Sequence, residues 1–178
     1  MNRLSNEVVG RFVAGEIDAL RIIYDETKDY TYRIIYRMVN NTMDAEDLMH
    51  DAYEKVYKNR EKYDMRKAGI KTWVSKVAIN HTLNYLKKKK TSQNYLHLFQ
   101  KGVNEGDHID ETVTDEDDIH RVLMKVKPDY RICLVLKYVE DHSYQEISDL
   151  LKINIGTVRS RISRGKSMFK TLYAQVGS

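Results

Sequence analysis

Cysteine, proline and long apolar runs are all scarce in this chain of 178 residues. Its single cysteine, Cys133, can form no internal disulfide, and no cysteine pair exists to hold structural zinc. The longest unbroken apolar run covers residues 132–136, too short for a transmembrane helix or a signal-peptide core. One proline and eight glycines argue against disorder, collagen-like repeats and turn-rich all-β folds. No glycine-rich phosphate loop occurs, and His50, His81, His97, His108, His120 and His142 show no metal-ligand spacing. Cys133 lies inside the apolar run, which suits a small core residue better than a nucleophile. The expectation is a non-enzymatic, all-α, cytoplasmic protein with no cofactor, no metal and no membrane insertion. Its length fits one domain or two small ones.

What is present is charge, arranged in blocks. The 30 Lys plus Arg against 26 Asp plus Glu leave a net charge of only +4. Residues 65–104 nevertheless carry Arg66, Lys67, Lys71, Lys76, Lys87, Lys88, Lys89, Lys90 and Lys101 without one acid. Residues 105–118 reverse this, with eight acids and no Lys or Arg. Beyond Leu150 come Lys152, Arg159, Arg161, Arg164, Lys166 and Lys170, again acid-free. Any one of these runs could be an ordinary solvated helix face. Two acid-free cationic blocks separated by an anionic one instead suggest a polyanion gripped at two places.

Hydrophobic spacing organises the chain into helices. Leu20, Ile23, Tyr24, Thr27, Thr31, Ile34, Ile35 and Met38 form the stripe of a long amphipathic helix that ends at Asn40-Asn41. A second helix turns Ala45, Leu48, Met49, Ala52, Tyr53, Val56 and Tyr57 inward, and Asp47, His50, Asp51 and Glu54 outward. A loop over residues 63–71 precedes a third helix that begins near Ile70 and runs into the four lysines. Residues 91–114 are polar and pass from basic to acidic, the signature of a linker. Periodicity resumes at Ile119, stops at Pro128 and restarts through Ile132, Val135, Leu136 and Val139.

Residues 143–172 carry the most specific pattern. Ser143 and Glu146 make a capping box opening a short helix, and Asn154 is placed to cap the next one. In that helix Val158, Ile162, Gly165, Phe169 and Leu172 point inward. At about 100° per residue, Ser160, Ser163, Arg164 and Ser167 lie opposite, flanked by Arg159 and Arg161. A surface of short hydroxyls and arginines suits the major groove, where Ser permits close approach and Arg binds guanine or phosphate bidentately. A short helix, a tight turn and a basic second helix predict a helix-turn-helix. An ordinary surface hairpin would carry mixed charges there.

These segments resemble the sigma-70 family, in particular its small extracytoplasmic-function (ECF) group. Residues 143–148 (SYQEIS) and 156–161 (GTVRSR) resemble its region 4 signature. Residues 44–48 (DAEDL) resemble the start of region 2.2, and 73–80 (WVSKVAIN) its tryptophan-to-asparagine stretch in regions 2.3 and 2.4. Residues 126–128 (VKP) resemble the segment before the second domain's central helix. The resemblance implies sigma region 2 over residues 1–90, a linker over 91–114 and sigma region 4 over 115–178. It implies that Asp47, His50 and Asp51 meet the β′ clamp helices of core RNA polymerase, with His50 standing where the family usually has glutamine. Promoter DNA is the second implied partner, and an anti-sigma factor a further one that the family allows. Arg66, Lys67, Lys71, Asn80, Lys87 and Lys88 would hold the −10 element, whose unwound strand offers flipped base edges and phosphates. Arg159, Ser160, Ser163 and Arg164 would hold the −35 element in the groove, and Tyr144, Thr157, Arg161 and Lys166 would lie nearer its backbone. Trp73, at helical spacing from Val77, is expected in the core rather than as a base-stacking platform. A free-standing regulator of the LuxR type would explain residues 143–172 but not the region 2 resemblance.

Overall fold

The computed structural model describes residues 4–97 and 115–175, with the side chains of 90–97 and 115–117 excepted. Most of the expected linker, residues 98–114, therefore lies outside the described residues. Eight α-helices and one 3-10 turn make up the regular structure of the described residues, without a strand. They divide into two compact units. The first comprises residues 1–36 and 41–89, the second residues 37–40 and 90–178.

In the N-terminal unit, α1 (Asn6–Val13) starts at Ser5, whose Oγ accepts the amide of Val8 at 3.3 Å. The hydrophobic periodicity described above does not reach this helix. It buries Val9 and Phe12 against Ala19 and Ile23 of α2 (Ile17–Val39), Tyr53 and Val56 of α3 (Thr42–Lys58), and Ile70 and Val74 of α4 (Ile70–His97). Gly15 joins α1 to α2 with φ of 97°, a left-handed backbone that glycine adopts freely. The predicted stop at Asn40-Asn41 is resolved into two roles. Asn40 takes a left-handed φ of 55°, and Asn41 caps α3 by accepting the Asp44 amide at 2.7 Å.

A 3-10 turn (Arg60–Lys62) and a loop over residues 63–69 follow, and α4 begins at Ile70, as the spacing predicts. It runs to His97, seven residues beyond Lys90, where the polar composition predicts the linker. Lysine is a good helix former, so a lysine run does not end a helix by itself.

In the C-terminal unit, α5 (Asp115–Lys125) precedes α6 (Pro128–Tyr138), which has Pro128 in its first turn, where the missing N–H has no partner to lose. The whole run from Arg131 to Leu136 is buried, so α6 is the central helix. Ile147 of α7 (Tyr144–Leu151) and Val158 and Ile162 of α8 (Ile155–Ala174) are buried in the same unit. A Cβ at Gly165 would lie 3.2 Å from Leu134 and Tyr130, so glycine lets α8 approach α6 closely.

Candidate nucleic-acid interface

Three local devices shape the pair of helices α7 and α8. Ser143 Oγ accepts the Glu146 amide at 3.2 Å, and the Glu146 carboxylate accepts the Ser143 amide at 2.8 Å, completing the predicted capping box. Lys152 reverses the chain in the left-handed region, and Asn154 Oδ1 accepts the Gly156 amide at 2.7 Å to open α8. Thr157, Arg159, Ser163 and Arg164 are exposed on α8, and Ser160 is half-buried. Ser160 donates to the Thr157 carbonyl at 2.9 Å, leaving its oxygen lone pairs as the groups able to meet a base donor.

Two members of the expected −35 set are engaged elsewhere. Arg161 donates to Asp129 on α6 at 3.1 Å. Lys166 stands 5.8 Å from the ring of Tyr138, on the rim of an open apolar groove of about 550 Å3. The groove is lined by Ile119 and Leu123 of α5, Tyr138 of α6 with Val139 just after it, and Phe169 of α8. The hydrophobic pattern includes Ile119, Val139 and Phe169 but not Tyr138, and does not show that three helices leave a gap between them. Tyr144 is 37% exposed at the start of α7, with the Lys137 ammonium 5.9 Å from its ring centre.

The N-terminal unit presents a second acid-free helix. Lys71, Asn80, Lys87 and Lys88 of α4 are exposed, as is Lys67 in the preceding loop. That loop is an ordered turn. Asp64 accepts the Arg66 amide, Nε and Nη2, each at 3.0 Å, and these bonds hold its carboxyl below the usual range. The expected −10 residue Arg66 is thus already paired within the loop. Tyr63 donates to the Ala68 carbonyl at 3.0 Å and sets its ring edge-on to Trp73 at 5.4 Å. Trp73 also meets Phe12 at 6.3 Å, which is the core role expected for it. Tyr63 is absent from the expected set, because only the folded loop shows that its hydroxyl closes the turn.

On α3, Asp47, His50 and Asp51 are exposed on one face. Asp51 lies 3.3 Å from His81 Nε2 of α4, and Asp44 accepts from Lys89 at 2.7 Å. Burial lowers the pKa of His81, so the imidazole is mainly neutral near pH 7. No cluster of three potential metal ligands occurs among the described residues. Burial pushes the Cys133 thiol up to about 11, far from the range of a nucleophile. Among the described residues no helix is long and apolar enough to cross a membrane.

Residues 23–91 match the family model for sigma-70 region 2, and residues 116–168 that for sigma-70, region 4. The ECF RNA polymerase sigma factor SigW of Bacillus subtilis is 30% identical over 168 residues, covering 88% of this chain and 89% of SigW. The chain belongs to the ECF sigma factors of the sigma-70 family. The ECF sigma factor SigE of Mycolicibacterium smegmatis is 28% identical over 84% of this chain and 60% of its own length. Two solved structures share the fold. The sigma factor RpoE of Bartonella quintana, in complex with the anti-sigma factor NepR, superposes with a TM-score of 0.59 at 20% identity, covering 84% of this chain and 92% of RpoE. CnrH, in complex with the cytosolic domain of CnrY, gives 0.58 at 13% identity, covering 94% of this chain and 96% of CnrH. As an ECF sigma factor the protein is a non-enzymatic subunit of transcription initiation, which binds core RNA polymerase and promoter DNA. A region 2 match over residues 23–91 does not fit a free-standing LuxR-type regulator.

Proposed function

We propose that this sigma factor works in the cytoplasm with residues 1–90 as region 2, 91–114 as linker and 115–178 as region 4. Asp47, His50 and Asp51 on α3 dock the β′ clamp helices of core polymerase. Arg66, Lys67, Lys71, Asn80, Lys87 and Lys88 hold the −10 element. Arg159, Ser160, Ser163 and Arg164 hold the −35 element in the groove, while Tyr144, Thr157, Arg161 and Lys166 lie nearer its backbone, Arg161 and Lys166 also meeting Asp129 and Tyr138. The observation that carries this assignment is the pair of exposed acid-free helices, α4 and α8, in separate units that match regions 2 and 4. Promoter opening on this view draws on binding energy alone. The solved relative RpoE is held by an anti-sigma factor, and the same class of partner is proposed for this chain.

The test is transcription by core polymerase reconstituted with the full chain. Sequenced transcripts are expected to share one −35 and one −10 element. Asp47→Arg combined with Asp51→Arg turns an acidic face cationic and is expected to weaken core binding by roughly tenfold or more. Unchanged core affinity in that variant would remove α3 as the docking helix.

A further inference from the structure

The groove between α5, α6 and α8 leaves two large apolar side chains half in water. Ile119 is 50% exposed and Tyr138 56%, although both line it beside Leu123 and Phe169. Contiguous exposed apolar surface rimmed by polar groups marks a binding site. No carboxylate lines this one, and its only charged lining is Lys166 and Lys170, both exposed and about one turn apart on α8. The Lys166 ammonium stands 5.8 Å from the Tyr138 ring centre, which sets it at the mouth of the groove. Elsewhere in this unit cations stand against carboxylates: Arg121 with Asp118, Lys137 with Asp141 and Arg161 with Asp129. Lys166 and Lys170 have no such partner among the described residues. At about 550 Å3 the groove lies within the range of about 300–1,000 Å3 typical of small-molecule sites. Apolar walls with both cations on one side fit a ligand that has one anionic head and one apolar chain.

We propose that region 4 carries a site for a free long-chain fatty acid, its chain lying between α5, α6 and α8 and its carboxylate between Lys166 and Lys170. Burial of the chain supplies the affinity, and the two ammoniums fix its direction. The Ser167 hydroxyl already donates to the Ser163 carbonyl at 3.2 Å, so charge rather than a hydroxyl donor holds the head. Lys166 is also the residue proposed for the −35 backbone, so acid and promoter compete for one ammonium. That consequence rests on the −35 assignment; the site itself does not.

Calorimetric titration of the full chain with octanoate, decanoate and dodecanoate, each below its micelle concentration, tests the site. Affinity is expected to rise roughly fourfold for each added methylene while the groove fills. Lys170→Gln removes one head contact and should weaken dodecanoate roughly threefold while leaving its methyl ester unaffected. Ile119→Glu puts a charge in the apolar space and should weaken dodecanoate roughly tenfold or more. Both substitutions fall on exposed helix positions, and an unchanged circular dichroism spectrum excludes unfolding as the cause. Absence of binding to the wild type would leave the groove to a partner's apolar helix and overturn the inference. A chain-length series identical in the wild type and Ile119→Glu would overturn it too, as would dimerisation that Ile119→Glu abolishes, which would give the groove to a second copy. Saturating dodecanoate should also weaken the binding of reconstituted holoenzyme to promoter DNA roughly fivefold. If the acid binds and promoter affinity is unchanged, the site stands and the assignment of Lys166 to the −35 backbone fails.

Discussion

α4 and α8 are both exposed helices without an acid, yet their units hold them by different chemistry. In the N-terminal unit hydroxyls and surface polar contacts add to the apolar packing of the helices. The Tyr53 hydroxyl lies 2.7 Å from Thr27 Oγ1 and 3.3 Å from Thr31 Oγ1, all three residues being buried. At the surface, Lys89 reaches Asp44 and His81 reaches Asp51. In the C-terminal unit the buried surface of α8 is Val158, Ile162 and Gly165, and its one ion pair with another helix among the described residues is Arg161 with Asp129. Both units rest on buried apolar side chains, but the N-terminal one adds a buried hydroxyl cluster that the loss of a partner disturbs, and the C-terminal one a helix contact that admits no added volume.

The largest expected effect is volumetric. Gly165→Leu forces a side chain into space already filled by Leu134 and Tyr130, and is expected to cost the C-terminal unit about 3 kcal/mol. The chain contains one tryptophan, Trp73, and it belongs to the N-terminal unit. Denaturant unfolding of the full chain should lose stability when followed by far-ultraviolet circular dichroism. The Trp73 fluorescence transition should stay where it was. A matching shift in both signals would mean that the units unfold together and would break the comparison.

Tyr53→Phe is the polar counterpart. Thr27 donates its own proton to the Ile23 carbonyl at 2.6 Å, so the Tyr53 proton has the two threonine oxygens as acceptors. Removing the hydroxyl leaves ring packing intact and costs about 1 kcal/mol, the net worth of a hydrogen bond together with the threonine oxygens left unpaired. Here the Trp73 transition is the one that should move. No shift would mean that the buried hydroxyl cluster is neutral and that the N-terminal unit rests on packing alone.

Local features of both units were legible in the sequence, because caps and stripes involve residues three or four apart. The capping box at Ser143, the Asn154 cap and the inward face of α8 are of this kind. α1 was not, since eight residues offer too few turns to establish a period and no capping box marks its start as Ser143 and Glu146 mark that of the equally short α7. Partners that modify the candidate site were not legible either. Arg161 and Asp129 are 32 residues apart, and His81 and Asp51 are 30 apart, so folding alone brings them together. Even the short Asp64–Arg66 pair depends on the turn closed by Tyr63. Charge blocks accordingly located two cationic surfaces but did not show which cations already have an anion.

The smallest effect concerns pH and the α3–α4 contact. Only 16% of the His81 side chain is exposed, and burial lowers its pKa despite the Asp51 carboxylate 3.3 Å away, with Lys55 of α3 and Lys88 of α4 opposing its charge as well. The unfolded chain has an ordinary histidine value of about 6.5. As pH falls through that value the unfolded state takes up a proton that the folded state still refuses, so folding becomes less favourable. Above about 6.5 both states are neutral and this contribution is complete. Below the lowered folded value both are protonated and the loss levels off. The Trp73 transition is expected to move to lower denaturant as pH is taken from 7.5 to 5.5, test values roughly one unit either side of that pKa. His81→Gln, which cannot titrate, should flatten that dependence without altering the C-terminal unit. An equal slope in the wild type and in His81→Gln would place the titrating group elsewhere and remove His81 from the set of polar ties.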